Sequence, residues 1–172
     1  MVSPRDPELD VAAGAMVRAG ARFVVIGGFA VIANRFVRAT EDVDFLVPGD
    51  PANDRRVLGA LRALNAVRQR DEASLRDEHL IGQEHLRVIS DAGMIDVIRG
   101  GVPPLDFETV ESDAMRADYD GLVFPVASLR SIVGFKRLAG RPQDRQDLER
   151  LAEIHGTLPE DLIPGIESPG PS

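Results

Sequence analysis

Residues 23–47 read FVVIGGFAVIANRFVRATEDVDFLV, and the fold turns on how this stretch is divided. Phe23 to Ile26 form a short continuous apolar run ended by Gly27 and Gly28, the pattern of a buried strand. From Phe29 to Val37, apolar residues at Phe29, Ile32, Ala33 and Phe36 keep the spacing of one helical face. The glycine pair therefore stands at a strand-to-helix turn. Two residues without Cβ let a phosphate approach backbone N–H groups left free at a helix start, where the helix dipole favours negative charge. Such a turn also uses glycine for steric reasons alone.

The last six residues of the stretch, Asp42 to Val47, alternate acid and apolar before ending in an apolar run. Side chains two apart on a strand share a face, with Cα atoms roughly 6.5 Å apart. Asp42 and Asp44 can then converge on one cation while Val43, Phe45 and Val47 enter a core. Their mutual repulsion raises a pKa or demands a counter-ion, and a hard divalent ion with oxygen ligands answers that demand. The alternative is a pair of solvated aspartates on an edge strand. A third acid, Asp96, interrupts the apolar run Met94 to Ile98. On a strand beside Asp42 and Asp44, roughly 4.8 Å away, it completes a three-carboxylate cluster able to hold one or two magnesium ions. The competing reading pairs Asp96 with Arg99 as a salt bridge.

Lys136 is the only lysine among 20 basic side chains, so arginine supplies all other positive charge. A compact ammonium on a flexible stem suits the oxygens of a triphosphate, and it equally suits the solvated face of an amphipathic helix. Downstream, Pro142 followed by Asp144 is ordinary helix-entry chemistry.

In order, Gly27, Gly28, Asp42, Asp44 and Asp96 resemble the pattern of the nucleotidyltransferase superfamily that includes DNA polymerase beta. The longer form with Arg38 and Thr40, together with Lys136, Gly140, Arg141, Asp144 and Asp147, is similar to the AbiEii-type branch, toxins of type IV toxin–antitoxin pairs. The likeness runs over roughly residues 20 to 152. It departs at Gln143, where relatives often carry a basic residue, and this chain has no Trp of the kind found in lincosamide-modifying relatives.

The resemblance implies an α/β (α+β) fold: a small mixed β-sheet flanked by helices, with a C-terminal helical extension. The expected organisation is a core over 1–127, an extension over 128–164 packed on it, and a disordered tail over 165–172. It implies a Mg2+-dependent (or Mn2+-dependent) enzyme that moves a nucleoside monophosphate from an NTP to an acceptor hydroxyl. Asp42, Asp44 and Asp96 would hold metal, Asp96 would also take the acceptor proton, and Gly27 and Gly28 would cradle phosphate. Lys136 would neutralise the triphosphate with Arg38 in support, Thr40 would brace the turn, and Arg141, Asp144 and Asp147 would complete nucleotide binding. The acceptor implied is a tRNA end, with a small molecule or protein side chain as the alternative and an antitoxin as partner. A catalytically silent nucleotide-binding or interaction module is the remaining reading.

Composition bounds these readings. The chain has 172 residues, 44% hydrophobic content and no cysteine, which fits one domain and excludes disulfides and thiolate chemistry. His79, His85 and His155 are scattered and read as surface residues. No apolar run approaches the roughly 20 residues of a membrane span, and the acidic start MVSPRDPELD is unlike a signal sequence. A cytoplasmic setting is expected. The net charge of −8 weighs against broad binding to nucleic acid and leaves only local basic clusters for it, such as Arg55, Arg56, Arg62, Arg68 and Arg70, or Arg137, Arg141 and Arg145. Elsewhere the pattern predicts helices over Pro7–Gly20 and Pro51–Val67 and a polar loop over Leu75–Gln83. It predicts a hairpin of His85–Ser90 with Met94–Ile98, a strand over Leu122–Val126, and a helix capped by Ser128. Leu105–Tyr119 fits no single pattern.

Overall fold

The apolar run at Val24–Ile26 becomes β1, and Asp42–Val47 becomes β2 beside it, antiparallel, with Ile26 opposite Asp44. The computed structural model that shows this describes residues 5–163. The expected tail over 165–172, and residue 164 of the extension, lie outside the described residues.

Strands β3 (Val67–Arg68), β4 (His85–Ser90), β5 (Gly93–Arg99), β8 (Met115–Tyr119) and β9 (Leu122–Val126) complete a seven-stranded mixed sheet in the order β3-β4-β5-β2-β1-β9-β8. The short strands β6 (Gly101–Val102) and β7 (Leu105–Asp106) form a separate ribbon. Central β2 runs parallel to β5 and β1 runs parallel to β9, while the remaining pairs are antiparallel. The β4–β5 hairpin sets the register that matters most. It places Asp96 opposite Arg87 on one side and Asp44 on the other.

Helices α1 (Leu9–Arg18) and α3 (Pro51–Ala63) pack on each other, α2 (Gly27–Ala33) follows the glycine turn, and α4 (Phe107–Ser112) packs on β1. Helix α5 (Leu129–Ala139) lies against α2 and against α6 (Pro142–His155). The core is continuous: Val43 and Phe45 of β2, Ile95 and Val97 of β5, Ile132 of α5 and Leu151 of α6 are all buried in it. Each fully buried side chain of this size stabilises by about 1.5–3 kcal/mol. Caps follow the sequence. Asp50 accepts from the Ala52 N–H, and Ser128 accepts from the Ser131 N–H. Gly140 closes α5 in the left-handed region, with Pro142 opening α6. No helix among the described residues is long and apolar enough to cross a membrane.

Helix α1 spans Leu9–Arg18 rather than Pro7–Gly20, the expected polar loop over Leu75–Gln83 holds a single helical turn at Asp77–His79, and three larger differences stand beside these. Helix α2 stops at Ala33 rather than Val37, because Asn34 turns its amide onto the Ala30 and Ala127 carbonyls and Arg35 takes a positive φ. Helix α3 stops at Ala63 rather than Val67; Asn65 at φ 53° reverses the chain, and Val67 begins β3. The unassigned Leu105–Tyr119 divides into β7, α4 and β8, with Asp106 capping α4 through the Thr109 N–H.

Candidate active site

Alternation along β2 turns Asp42 and Asp44 to one face while Val43 and Phe45 are fully buried on the other. Asp96, 5% exposed, reaches the same face from β5. One carboxylate oxygen from each of the three lies within 4.8 Å of the others. Burial, reinforced by Asp42 and Asp96, pushes the Asp44 carboxyl up to about 8, and burial followed by Asp96 raises Asp42. Three crowded carboxylates, with Asp42 and Asp44 raised in pKa, form a donor set that fits a hard divalent cation.

The glycine turn is shaped around this cluster. Gly27 has φ 69°, and a Cβ there would stand 2.0 Å from the Asp44 Oδ2. A Cβ on Gly28 would stand 2.5 Å from the Thr40 Oγ1, and that hydroxyl donates to the Asp42 carbonyl at 3.1 Å. Glycine is thus required so that the carboxylate and the turn can press together, beyond any need of a phosphate.

Gly27, Gly28, Arg38, Thr40, Asp42, Asp44, Asp96, Lys136 and Arg141 all line one cavity of about 610 Å³, with Gln143 and Arg87. Asp144 and Asp147 do not line it. They lie behind it, 2% and 4% exposed, and hold its cations. Lys136 Nζ is 2.7 Å from Asp147 and 3.3 Å from Asp144, Arg38 Nη1 is 2.7 Å from the Asp147 Oδ2, and Arg141 Nε is 2.7 Å from Asp144. Burial opposes ionisation of Asp144, yet hydrogen bonds from Arg141 and the charge of Lys136 hold it below the usual carboxylate range. Lys136 is therefore a buried, doubly paired ammonium and not a solvated helix residue.

Several readings of the sequence need correction. Asp96 does not pair with Arg99, which bonds Asp54 at 2.8 Å. Its partners are Arg87, 2.7 Å from Oδ2, and His85, whose Nε2 is 2.6 Å from Oδ1. Arg87 also lies 3.5 Å from Asp42. His85 is exposed, as expected, yet it is bonded to the carboxylate cluster. His79 is buried at 6% exposure, and His155 donates Nε2–H to the Asn34 carbonyl at 2.7 Å. The hairpin as expected, His85–Ser90 with Met94–Ile98, sets Arg87 opposite Val97; β5 begins one residue earlier, at Gly93, which shifts the register by one and brings Arg87 opposite Asp96 and His85 opposite Ile98.

With this geometry in view, comparison with known proteins is decisive. The family described as nucleotidyl transferase AbiEii toxin, type IV TA system, matches residues 14–164. The chain belongs to this family. It is a nucleotidyltransferase with an AbiEii-type sequence, and its fold recurs in solved nucleotidyltransferases. A crystal structure of ANT(2'')-Ia in complex with adenylyl-2''-tobramycin is 12% identical with a TM-score of 0.56, over 85% of this chain and 86% of that one. A solution structure of the antibiotic-resistance factor ANT(2'')-Ia is 11% identical at 0.57, covering 86% and 82%. An antigenic nucleotidyltransferase-like protein from Paracoccidioides brasiliensis is 17% identical at 0.53, covering 88% and 78%. No functionally curated protein matches the AbiEii-type chain by sequence.

Proposed function

We propose that the protein transfers a nucleoside monophosphate from an NTP to the hydroxyl of an acceptor, a tRNA end, as a toxin restrained by a cognate antitoxin in the cytoplasm. The observation that carries the reaction is the convergence of Asp42, Asp44 and Asp96 in a cavity also lined by Lys136, Arg38 and Arg141. Asp42, Asp44 and Asp96 are the residues that would hold Mg2+ or Mn2+. Such ions supply charge neutralisation on the phosphates and a lowered pKa for the acceptor hydroxyl.

The protein's own part is positioning and electrostatics. Gly27 and Gly28 leave room for phosphate at the turn, while Lys136, Arg38 and Arg141 offset triphosphate charge. Asp144 and Asp147 act through those cations by fixing where they stand. The acceptor oxygen bonds to the α-phosphorus as the bond to the bridging oxygen breaks, and pyrophosphate leaves with the electron pair. Asp96 takes the hydroxyl proton. His85 and Arg87 each occupy one oxygen of that carboxylate and fix its orientation, and lone pairs remain for the proton. Residues 128–164 belong to this site as an extension of the core over 1–127, because they supply Lys136 and Arg141 while the core supplies Arg38 and Arg87.

A small-molecule acceptor is the second reading, favoured by the fold shared with ANT(2'')-Ia in complex with adenylyl-2''-tobramycin. The test incubates the protein and an Asp44→Ala control with each labelled NTP, magnesium, and either total tRNA or a panel of hydroxylated small molecules. Label in tRNA with the wild type alone is the expected result. Label only in the small-molecule pool selects the second reading. Failure to bind magnesium-NTP by calorimetry overturns both and leaves a silent module. Growth arrest on expression, relieved by a neighbouring gene, tests the toxin–antitoxin assignment.

A further inference from the structure

A second cavity of about 490 Å³ adjoins the first. It lies between β3, the single helical turn Asp77–His79 and the start of β4, and its lining includes Arg68, Arg70, His79, His85 and Arg87. Arg87 lines both cavities. His85 and Arg87 are also the two groups that hold Asp96. The second cavity therefore opens onto the Asp96 side of the carboxylate cluster, away from the glycine turn and Lys136.

Its chemistry is unusual for this chain. The protein carries a net charge of −8, yet three arginines and a single acid, Glu78, line the groove. Arg55 and Arg62 of the same basic run are held by Asp77. Arg68 is braced by Asp71 through Nε at 2.8 Å and through Nη2, and Arg70 is exposed. His79 adds a separate observation. Its Nδ1 accepts the Arg76 N–H at 3.2 Å, so in the neutral ring Nε2 carries the proton. Burial, then Arg68 and Arg76, hold its pKa below the ordinary value and keep the ring neutral. That buried Nε2–H has no hydrogen-bond partner among the described residues. An unmatched buried donor beside arginines favours a ligand rich in acceptor oxygens.

We propose that this groove binds the phosphodiester strand that leads to the acceptor hydroxyl, with Arg68, Arg70 and Arg87 on phosphates and the His79 Nε2–H on an oxygen of the strand. The inference rests on the nucleotidyl-transfer reading and adds to it the entry side and the charge of the acceptor. A polyamine acceptor would meet repulsion along the same wall.

The test measures fluorescence anisotropy of a labelled single strand about ten nucleotides long with a free 3′ hydroxyl, in ribose and deoxyribose forms. Three phosphate contacts predict log affinity falling against log salt with a slope of about −2. Arg70→Glu, at an exposed position that threatens the fold least, is expected to weaken strand binding at least tenfold. Arg70→Lys retains most of it, and Arg68→Glu with Arg70→Glu removes it. Magnesium-NTP affinity measured by calorimetry stays at the wild-type value in Arg70→Glu. Equal strand affinity in wild type and Arg70→Glu, or no strand binding by the wild type, overturns the groove. Strand binding is measured without NTP, so its outcome is independent of whether nucleotidyl transfer itself is found.

Discussion

Two groups of aspartates, one lining the cavity and one lying behind it, have opposite fates. On β2 and β5, Asp42, Asp44 and Asp96 crowd together with one arginine and one histidine at their edge, and no salt bridge reaches Asp44 among the described residues. On α6, Asp144 and Asp147 are met by Lys136, Arg38 and Arg141. The first arrangement drives the Asp44 carboxyl up to about 8, whereas the second holds Asp144 below its ordinary range. The same residue type is left short of positive charge in one place and satisfied in the other, although the satisfied pair is the more deeply buried. A shortage of that kind is what a cation site requires of the protein before the cation binds. The satisfied cluster instead anchors cations that would otherwise repel one another beside the cavity.

The sharpest way to break this contrast is Asp44→Asn. Transfer is expected to fall by at least about 1,000-fold, on the order of 4 kcal/mol of transition-state stabilisation. Stability should move the other way. The folded-state pKa of Asp44 is raised, so the folded protein keeps a proton that the unfolded chain releases. Stability is therefore lost as pH climbs from the ordinary carboxylate range to about 8. Asparagine lacks that loss, and the variant should be more stable by about 1–3 kcal/mol at pH 7, with no advantage near pH 3. Urea unfolding at both pH values, alongside the transfer assay, checks both signs. A variant that is both inactive and less stable at pH 7 would contradict a site short of positive charge.

Asp147→Ala probes the other group. It strips the shared partner from Lys136, which is 8% exposed, and from Arg38, whose Nε is already buried without a hydrogen bond among the described residues. Breaking a buried pair from one side costs about 3–5 kcal/mol. The unfolding midpoint in urea should fall accordingly, at every pH from 6 to 8, while Asp44→Asn raises it. An Asp147→Ala protein of wild-type stability would mean that the cations simply turn to solvent.

Metal binding gives a third, smaller effect. Magnesium must displace the proton held by Asp44, so affinity should rise by up to about tenfold per pH unit and level off near pH 8. Calorimetry at pH 7 in two buffers of different ionisation heat should register about one proton released per site filled. A flat affinity between pH 6 and 8 would place the metal elsewhere.

How much of this is legible in the sequence depends on the range of the signal. Alternation at Asp42, Val43, Asp44 and Phe45 is local, and it marks strand β2 at its observed bounds, Asp42–Val47. The hairpin is equally local, but its register is not legible: the expected strands set Arg87 opposite Val97, and only the extra residue of β5 at Gly93 pairs Arg87 with Asp96. The end of α3 is not legible. Leu64 and Val67 continue an apolar helical spacing, and only the left-handed φ of Asn65 shows that the chain has already turned. Nor is the network behind Lys136, because Arg38 and Asp147 are 109 residues apart and meet only when α6 docks. Asp144 and Asp147 are visible as two acids three apart, but spacing cannot tell a carboxylate that faces a nucleotide from one that anchors the lysine facing it. The reason for Gly27 is half visible: the turn is plain, while the pressure of the Asp44 carboxylate against it is not.

The smallest effect is a control on the same helix. Arg150 and Glu153 lie on α6, one turn past Asp147, with Arg150 Nη1 2.9 Å from the Glu153 Oε2 and both side chains more than 60% exposed. A solvated pair three residues apart gains little, because water screens it and ordering two long side chains costs entropy. Arg150→Ala should therefore shift stability by no more than about 0.5 kcal/mol and leave transfer unchanged. If it instead approached the effect of Asp147→Ala, the cost at Asp147 would belong to α6 as a helix and not to the buried cations. The contrast between the two groups would then lose its electrostatic basis, since any disturbance of α6 would suffice. A tenfold or larger gap in urea-derived equilibrium constants between the two variants locates the effect in the Lys136 and Arg38 pairing itself.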